Sequence, residues 1–212
     1  MSAPHGPARR RGRRPKTSAA VLAATSRLLE STPLAELSVA QIIDAAAVGR
    51  TSFYEHFASK DDVVVQLLRS VSEEIAEQIE PMFTRVERPP REVFREGLTR
   101  LIEMWDRYAP LMLTGTEEWP AVPELQDLWF RIHADLTRRI AAVIAADRAA
   151  GLAPPGADPT ALAASLVWST ERALLVSRTG RVAALPDHAA LVEPLVQIYL
   201  GTIYGRPPAP ER

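Results

Sequence analysis

Three observations predict an all-α chain with a small N-terminal helical head and a larger helical body. Apolar residues recur at helical spacing through most of the 212 residues. Beyond Pro89 and Pro90 no segment alternates polar and apolar residues with the period of two that a half-buried strand needs. Residues 38 to 60, SVAQIIDAAAVGRTSFYEHFASK, read as two short helices joined by a tight turn and followed by a second cap and a lysine.

The order of elements follows from caps, stripes and breakers. Residues 1–16 begin with small and proline-rich residues and then carry Arg9, Arg10, Arg11, Arg13, Arg14 and Lys16, a run with nothing to bury, which predicts a disordered basic arm. Such an arm can contact DNA backbone or minor groove, or serve only as a solubilising tail. A twin-arginine export signal would need an uninterrupted apolar stretch after it, and Arg27 and Glu30 interrupt the one present. A first helix is expected from about Ser18 to Ser31, capped by Thr17 or Ser18, with Val21, Leu22, Leu28 and Leu29 inward and Pro33 beyond its end.

Ser38 can cap a second helix starting at Val39, whose inward residues are Val39, Ile42, Ile43 and Ala46. Gly49 is expected to take the positive φ of the turn that follows. A helix of about two turns then fits Arg50 to Phe57. Phe53 and Phe57, four apart, anchor it, leaving Arg50, Thr51, Ser52, Tyr54 and His56 on the other side. Arginine suits guanine, and hydroxyls meet bases or phosphates, so this face is that of a helix entering a DNA major groove. Ser59 caps the next helix, with Lys60 at its first turn as a phosphate contact. That helix carries Val64, Leu68, Val71, Ile75 and Ile79, a stripe long enough to reach beyond the head, and Pro81 ends or kinks it.

The domain pattern is therefore an arm at 1–16, a helix-turn-helix domain at 17–62, a helical body at 63–205 and a flexible, proline-rich tail at 206–212. In the body, a helix over Arg91 to Tyr108 places Val93, Phe94, Leu98, Leu101, Ile102 and Trp105 on one side. A short piece near Leu111 and a loop with Pro120 and Pro123 precede the longest helix, about Glu124 to Ala150, stopped by Gly151. Three prolines and two glycines make a loop of 151–159, and two helices follow at about Pro159 to Arg178 and Pro186 to Tyr204.

The charge distribution agrees with a reading head. Net charge is −1, but residues 1–60 hold nine Lys or Arg against four Asp or Glu, while the remainder holds 16 against 22. Local phosphate neutralisation, and not total charge, sets affinity for nucleic acid. A 47% hydrophobic content is ample for one core and a small second domain. With no cysteine, disulfides, thiolate zinc sites and cysteine nucleophiles are excluded. His5, His56, His133 and His188 are too far apart to suggest a metal pair, and no glycine-rich phosphate loop is present, so neither metal nor cofactor is expected.

Residues 38–60 resemble the DNA-binding domain of the TetR family of transcriptional regulators. The family's cap, recognition-helix tyrosine, histidine and phenylalanine, and following lysine are matched by Ser38, Tyr54, His56, Phe57 and Lys60. The family's turn reads alanine, glycine, valine, serine, where this chain has Ala46, Ala47, Val48 and Gly49. The body resembles the actinobacterial EthR-like branch through Trp129, through Glu171 and Arg172, and through Ile203, Tyr204 and Gly205.

The resemblance implies a cytoplasmic homodimer that binds a roughly palindromic double-stranded operator and has no membrane partner. It implies that the last two helices form the interface, where Ala161, Ala163, Ala164 and Ser165 would permit close approach or simply pack within the chain. It implies a largely apolar tunnel for a small apolar or aromatic effector near Phe94, Leu101, Trp129, His133, Leu136, Val167, Thr170 and Tyr199, and Leu98 and Trp105 join them as ligand candidates on the same inward face as Phe94. His133 lies four residues after Trp129 and three before Leu136, so it either faces a ligand or is a core histidine bonded to a backbone carbonyl. An enzyme on an apolar substrate, with His133 and Glu171 as acid and base, has no nucleophile, metal or cofactor motif beside it. A protein-interaction module would leave the recognition-helix pattern unexplained.

Overall fold

The computed structural model describes residues 14–84, 88–118, 120–185 and 187–205, and among them there is no strand. Two compact units form: residues up to Ser70 with Pro110–Gln126, and Val71–Ala109 with Asp127 onward. The division between the two units lies within a continuous helix, after Ser70. Residues 110–126, read as body, group with the head.

In the first unit α1 spans Arg14–Leu28, α2 Val39–Ala46, α3 Arg50–Tyr54 and α6 Ala109–Glu118, with a 3-10 turn at Leu34–Glu36. The helix α4, Lys60–Ile79, begins in this unit. Arg14 and Lys16 therefore stand on α1 and not in the arm. Pro15 suits a first helical turn because the N–H it lacks would have no partner there. Arg13 and the rest of the arm lie outside the described residues, as does the tail at 206–212. Three residues short of the expected end, α1 gives way to a looser turn, with Ser31 N–H and Thr32 N–H both donating to Leu28 O (3.2 and 2.9 Å). Its inward face is Val21, Ala24, Thr25 and Leu29, while Leu22 and Leu28 are only half-buried. The Thr25 hydroxyl is satisfied within the helix, donating to Val21 O at 2.9 Å. α1 packs on α2 and α3, and the fully buried Ile42, Phe53, Phe57, Val63 and Val64 close the core of this unit. What reads as a short piece near Leu111 is the ten-residue α6.

In the second unit, α4 ends at Ile79 in a 3-10 turn, Glu80–Met82, as Pro81 dictates. α5 spans Pro90–Arg107, α7 Pro123–Ala149, α8 Pro159–Arg178 and α9 Val192–Tyr204. α5 packs against the 3-10 turn and α9, and α8 against α9. Gly97 is the contact point on α5: a Cβ there would displace the Met82 side chain that crosses it. Gly151 stops α7 with φ +72°, and Asp158 caps α8, its Oδ1 accepting from Ala161 N–H at 2.9 Å. α9 starts later than the sequence suggests. A separate 3-10 turn, Ala189–Leu191, precedes it, capped by Asp187 Oδ1 accepting from Ala190 N–H at 2.8 Å. Buried His188 fixes this stretch between Leu174 O, 2.9 Å from Nε2, and Asp106 Oδ1, 2.7 Å from Nδ1. No helix of the described residues is long and apolar enough to cross a membrane.

Candidate nucleic-acid interface and ligand cavity

A full capping box opens α2. Gln41 N–H donates to Ser38 Oγ (3.3 Å), while Gln41 Oε1 accepts from both Ser38 N–H (2.8 Å) and the Ser38 hydroxyl (2.7 Å). The turn after α2 departs from expectation. Ala47, at φ 53° and ψ 42°, is left-handed, whereas Gly49 is extended at φ −77° and ψ 148°. The interhelical turn needs its left-handed residue immediately after the last helical carbonyls, where Ala47 N–H donates to Asp44 O, so position and not residue type decides which one adopts it. Gly49 instead occupies the cap of α3, where it offers no side-chain acceptor.

α3 is shorter than the two turns expected, since after Tyr54 the His56 N–H turns to Phe53 O (2.9 Å) in a tighter loop. The division of faces is nevertheless the one the sequence predicts. Phe53 and Phe57 are at most 1% exposed. Arg50 and Thr51 are exposed, Tyr54 is 47% exposed, and Ser52 and His56 are half-buried. The Arg50 guanidinium lies 5.7 Å from the Tyr54 ring centre, and Tyr54 packs edge-on against Phe53 at 5.2 Å. This holds the two side chains side by side without drawing either into the core. Lys60 is a correction. Its ammonium donates to Leu34 O (2.6 Å), Leu37 O (2.8 Å) and Ala35 O (3.3 Å), so it clasps the turn before α2 and has no proton left for a phosphate.

In the second unit, Phe94, Leu98, Trp105, Trp129, His133, Val167, Thr170 and Tyr199 are buried, and Leu101 and Leu136 are half-buried. Phe94 and Tyr199 rings are 5.3 Å apart, and Thr170 Oγ1 is 3.2 Å from Tyr199 OH. Burial pushes the Tyr199 phenol up to about 12, so it stays a hydrogen-bond donor. His133 Nδ1 is 2.9 Å from Trp129 O and its ring stacks on Trp168 at 4.1 Å, while it also borders a smaller cavity of about 390 Å³; burial lowers its pKa below the usual histidine value. A cavity of about 990 Å³ lies elsewhere in this unit. It is lined by Met82, Phe83, Val93, Phe94, Val143 and Leu152, with Arg88, Asp147 and Tyr204 as its ionisable members. Of the ten ligand candidates only Phe94 borders it. Asp147 was within reach of sequence reasoning: it follows Ile140 and Ile144 at spacings of four and three, a carboxylate stranded on an apolar stripe by the same criterion that singles out His133.

Residues 94–205 match the family described as "Transcriptional regulator EthR, C-terminal domain", and residues 21–67 match "Bacterial regulatory proteins, tetR family". The HTH-type transcriptional regulator EthR of Mycobacterium tuberculosis is 30% identical over 187 residues, 88% of this chain and 86% of that protein. The chain belongs to the TetR family of transcriptional regulators, in its EthR branch. The EthR of Mycolicibacterium smegmatis is 29% identical over 211 residues, 95% of this chain and 94% of that one. Among solved structures, the fatty acid degradation regulator FadR of Bacillus halodurans has a TM-score of 0.73 at 16% identity, covering 96% of this chain and 100% of that one. SmeT, in a complex with triclosan, has a TM-score of 0.68 at 19% identity, covering 92% and 99%. These two share the fold. The chain is thus a DNA-binding transcriptional regulator, and its relatives are named as regulators and not as enzymes.

Two features of this regulator make predictions. A left-handed alanine costs about 1–2 kcal/mol against glycine, partly offset by glycine's freer unfolded chain. Ala47→Gly should therefore raise Tm by about 2 °C, followed by circular dichroism. A Tm that is unchanged or lower would show that the turn carries no strain at Ala47. Glu171 is buried on α8, and that burial raises its pKa, with Arg172 opposing the shift less strongly. Between the ordinary and the raised value the native state holds the extra proton, so stability falls as pH rises through that window. Glu171→Gln should melt above the parent near pH 8 and level with it by about pH 4, where both states are protonated. A constant gap across this range would exclude the buried charge as its cause.

Proposed function

We propose that this regulator is a ligand-responsive repressor: a cytoplasmic homodimer that occupies a palindromic operator and leaves it when a small, largely apolar effector binds the body. The observation that carries the reading is the α3 face, where Arg50, Thr51 and Tyr54 are exposed beside one another while Phe53 and Phe57 hold the helix down. Ser52, His56 and the capping Ser38 complete that face, and Arg13 of the arm, with Arg14 and Lys16 at the start of α1, adds phosphate or minor-groove contacts. One such short helix reads only a few base pairs, so two heads about 34 Å apart are needed for specificity. The outer faces of α8 and α9 support a dimer. Ala161 and Ser165 on α8 and Ile198, Gly201 and Thr202 on α9 are exposed, mostly small side chains, and Ile198 is 49% exposed.

The effector side is supported by the buried Thr170–Tyr199 pair and by Trp129, whose buried indole N–H has no acceptor among the described residues. An apolar molecule bearing an acceptor would satisfy that indole N–H. The solved complex of SmeT with triclosan shows an aromatic ligand in a protein of the same fold. Release by a factor of one hundred needs roughly 2.7 kcal/mol of coupling, and operator DNA must then weaken effector binding by the same factor. Capture and sequencing of genomic fragments by the purified protein at about 150 mM salt tests this reading, since non-specific phosphate binding is weak there. Enrichment of a few palindromic sites, with transcription from those promoters reduced by the protein, is expected. Fragments captured without a shared sequence, or transcription raised by the protein, would overturn it.

A further inference from the structure

We propose that the 990 Å³ cavity bounded by α5, α7 and the end of α9 binds a lipophilic amine, its carbon body against Val93, Phe94, Val143 and Leu152 and its ammonium donating to Asp147. This rests on the ligand-responsive reading and adds to it a second site, apart from the Trp129, His133 and Thr170 set. The volume is at the upper end of the range for drug-sized ligands, about 300–1,000 Å³. The wall is mostly carbon, so the polar groups that remain decide what enters.

Asp147 is 9% exposed, and its only side-chain partner among the described residues is the Tyr204 hydroxyl, which donates to Oδ2 at 2.6 Å. A buried carboxylate is normally matched by a cation or by several donors. Two guanidiniums of this region have partners of their own. Arg148, the next residue on α7, donates to Ala157 O at 2.7 Å, and Arg88, on the cavity wall, pairs with Glu96 at 2.8 Å. Tyr204 cannot supply charge, since burial first and Asp147 second raise its pKa and keep it a neutral phenol. A protonated amine completes the carboxylate with a charge-assisted hydrogen bond, and an alcohol does so more weakly. A fatty acid of the same length would set its carboxylate against Asp147. The cavity is open to solvent along Ala142 and Ala146, which gives a ligand a way in without unfolding.

Titration calorimetry of the full chain at neutral pH with decylamine, decan-1-ol and decanoate, each below its aggregation concentration, tests the assignment. Decylamine should bind about tenfold or more tighter than decan-1-ol, the size of a charge-assisted bond, with decanoate weakest. Asp147→Asn, which preserves shape, should erase the advantage of the amine over the alcohol. Tyr204→Phe should keep it, and Ala146→Trp, at the solvent-facing wall, should block all three probes. Equal affinities in the parent, or an amine preference that survives Asp147→Asn, would overturn the proposal. Tyr204→Phe and Ala146→Trp keep it open to refutation should Asp147→Asn misfold. Captured operator DNA separates this inference from the reading it rests on. Decylamine should release DNA from the parent and not from Asp147→Asn. Amine binding at Asp147 with no release would overturn ligand-driven repression through this cavity and leave the site standing.

Discussion

Replacing Arg50 and Tyr54 together by alanine is expected to cost about 2–5 kcal/mol of operator binding, roughly thirty- to several-thousand-fold, and to remove discrimination between operator and scrambled duplex. Both side chains stand outside the core that holds α3, which consists of Phe53 and Phe57. Their mutual contact at 5.7 Å is solvent-exposed and worth only about 0.5 kcal/mol, so Tm should change little. A base-reading pair and a phosphate-binding pair predict different patterns. Loss of base contacts lowers affinity for operator while leaving affinity for scrambled DNA and its salt dependence almost intact. Loss of an arginine–phosphate contact lowers both and flattens the salt slope by about one unit. Anisotropy titrations on the two duplexes at several salt concentrations separate these outcomes. Equal losses on operator and scrambled DNA would assign Arg50 to the backbone and leave sequence reading to Thr51 and its neighbours.

The face that makes this prediction was legible in the sequence because each of its parts is local. The Ser38 cap, the four-residue interval between Phe53 and Phe57 and the polar types between them act within one or two helical turns, and the structure retains all three. The helical body was legible for the same reason, since stripes such as Val64, Leu68, Val71, Ile75 and Ile79 are buried throughout. Misreadings cluster where tertiary context overrides residue type. Gly49 is the residue best able to adopt positive φ, yet Ala47 holds it, because the turn geometry between two anchored helices selects a position. Resemblance to tunnel-lining places points to other residues than Asp147 and Tyr204. They meet across 57 residues of chain, a pairing that no local pattern announces.

Lys60 is the residue where sequence and structure assign different work, and the difference can be measured. Sequence position at the first turn of α4 suggests a phosphate contact, whereas the structure spends all three ammonium protons on the carbonyls of Leu34, Ala35 and Leu37. Those carbonyls belong to the turn that delivers the chain to the Ser38 cap, with Leu34 and Leu37 almost fully buried beneath it. Lys60→Met keeps the length of the side chain and removes the donors, leaving the part-buried Leu37 carbonyl without its lysine partner and the Leu34 carbonyl with only the Leu37 N–H, at a cost of about 2–3 kcal/mol. Tm should fall by about 5 °C, far beyond what an exposed lysine normally carries. Operator affinity measured well below the new Tm should decline only modestly, with the salt slope unchanged, because no counterion-releasing contact has been lost. Lys60→Arg should destabilise almost as much, as a planar guanidinium cannot converge on three carbonyls the way a compact ammonium does. A variant that melts like the parent but loses about one unit of salt slope would restore the phosphate role. The clasp also explains why a lysine suits this place in a reading head. It ties the segment before α2 to the start of α4, so the two ends of the α2–α3 pair are held by one side chain, and the exposed Arg50 and Tyr54 face is presented from a frame closed on both sides.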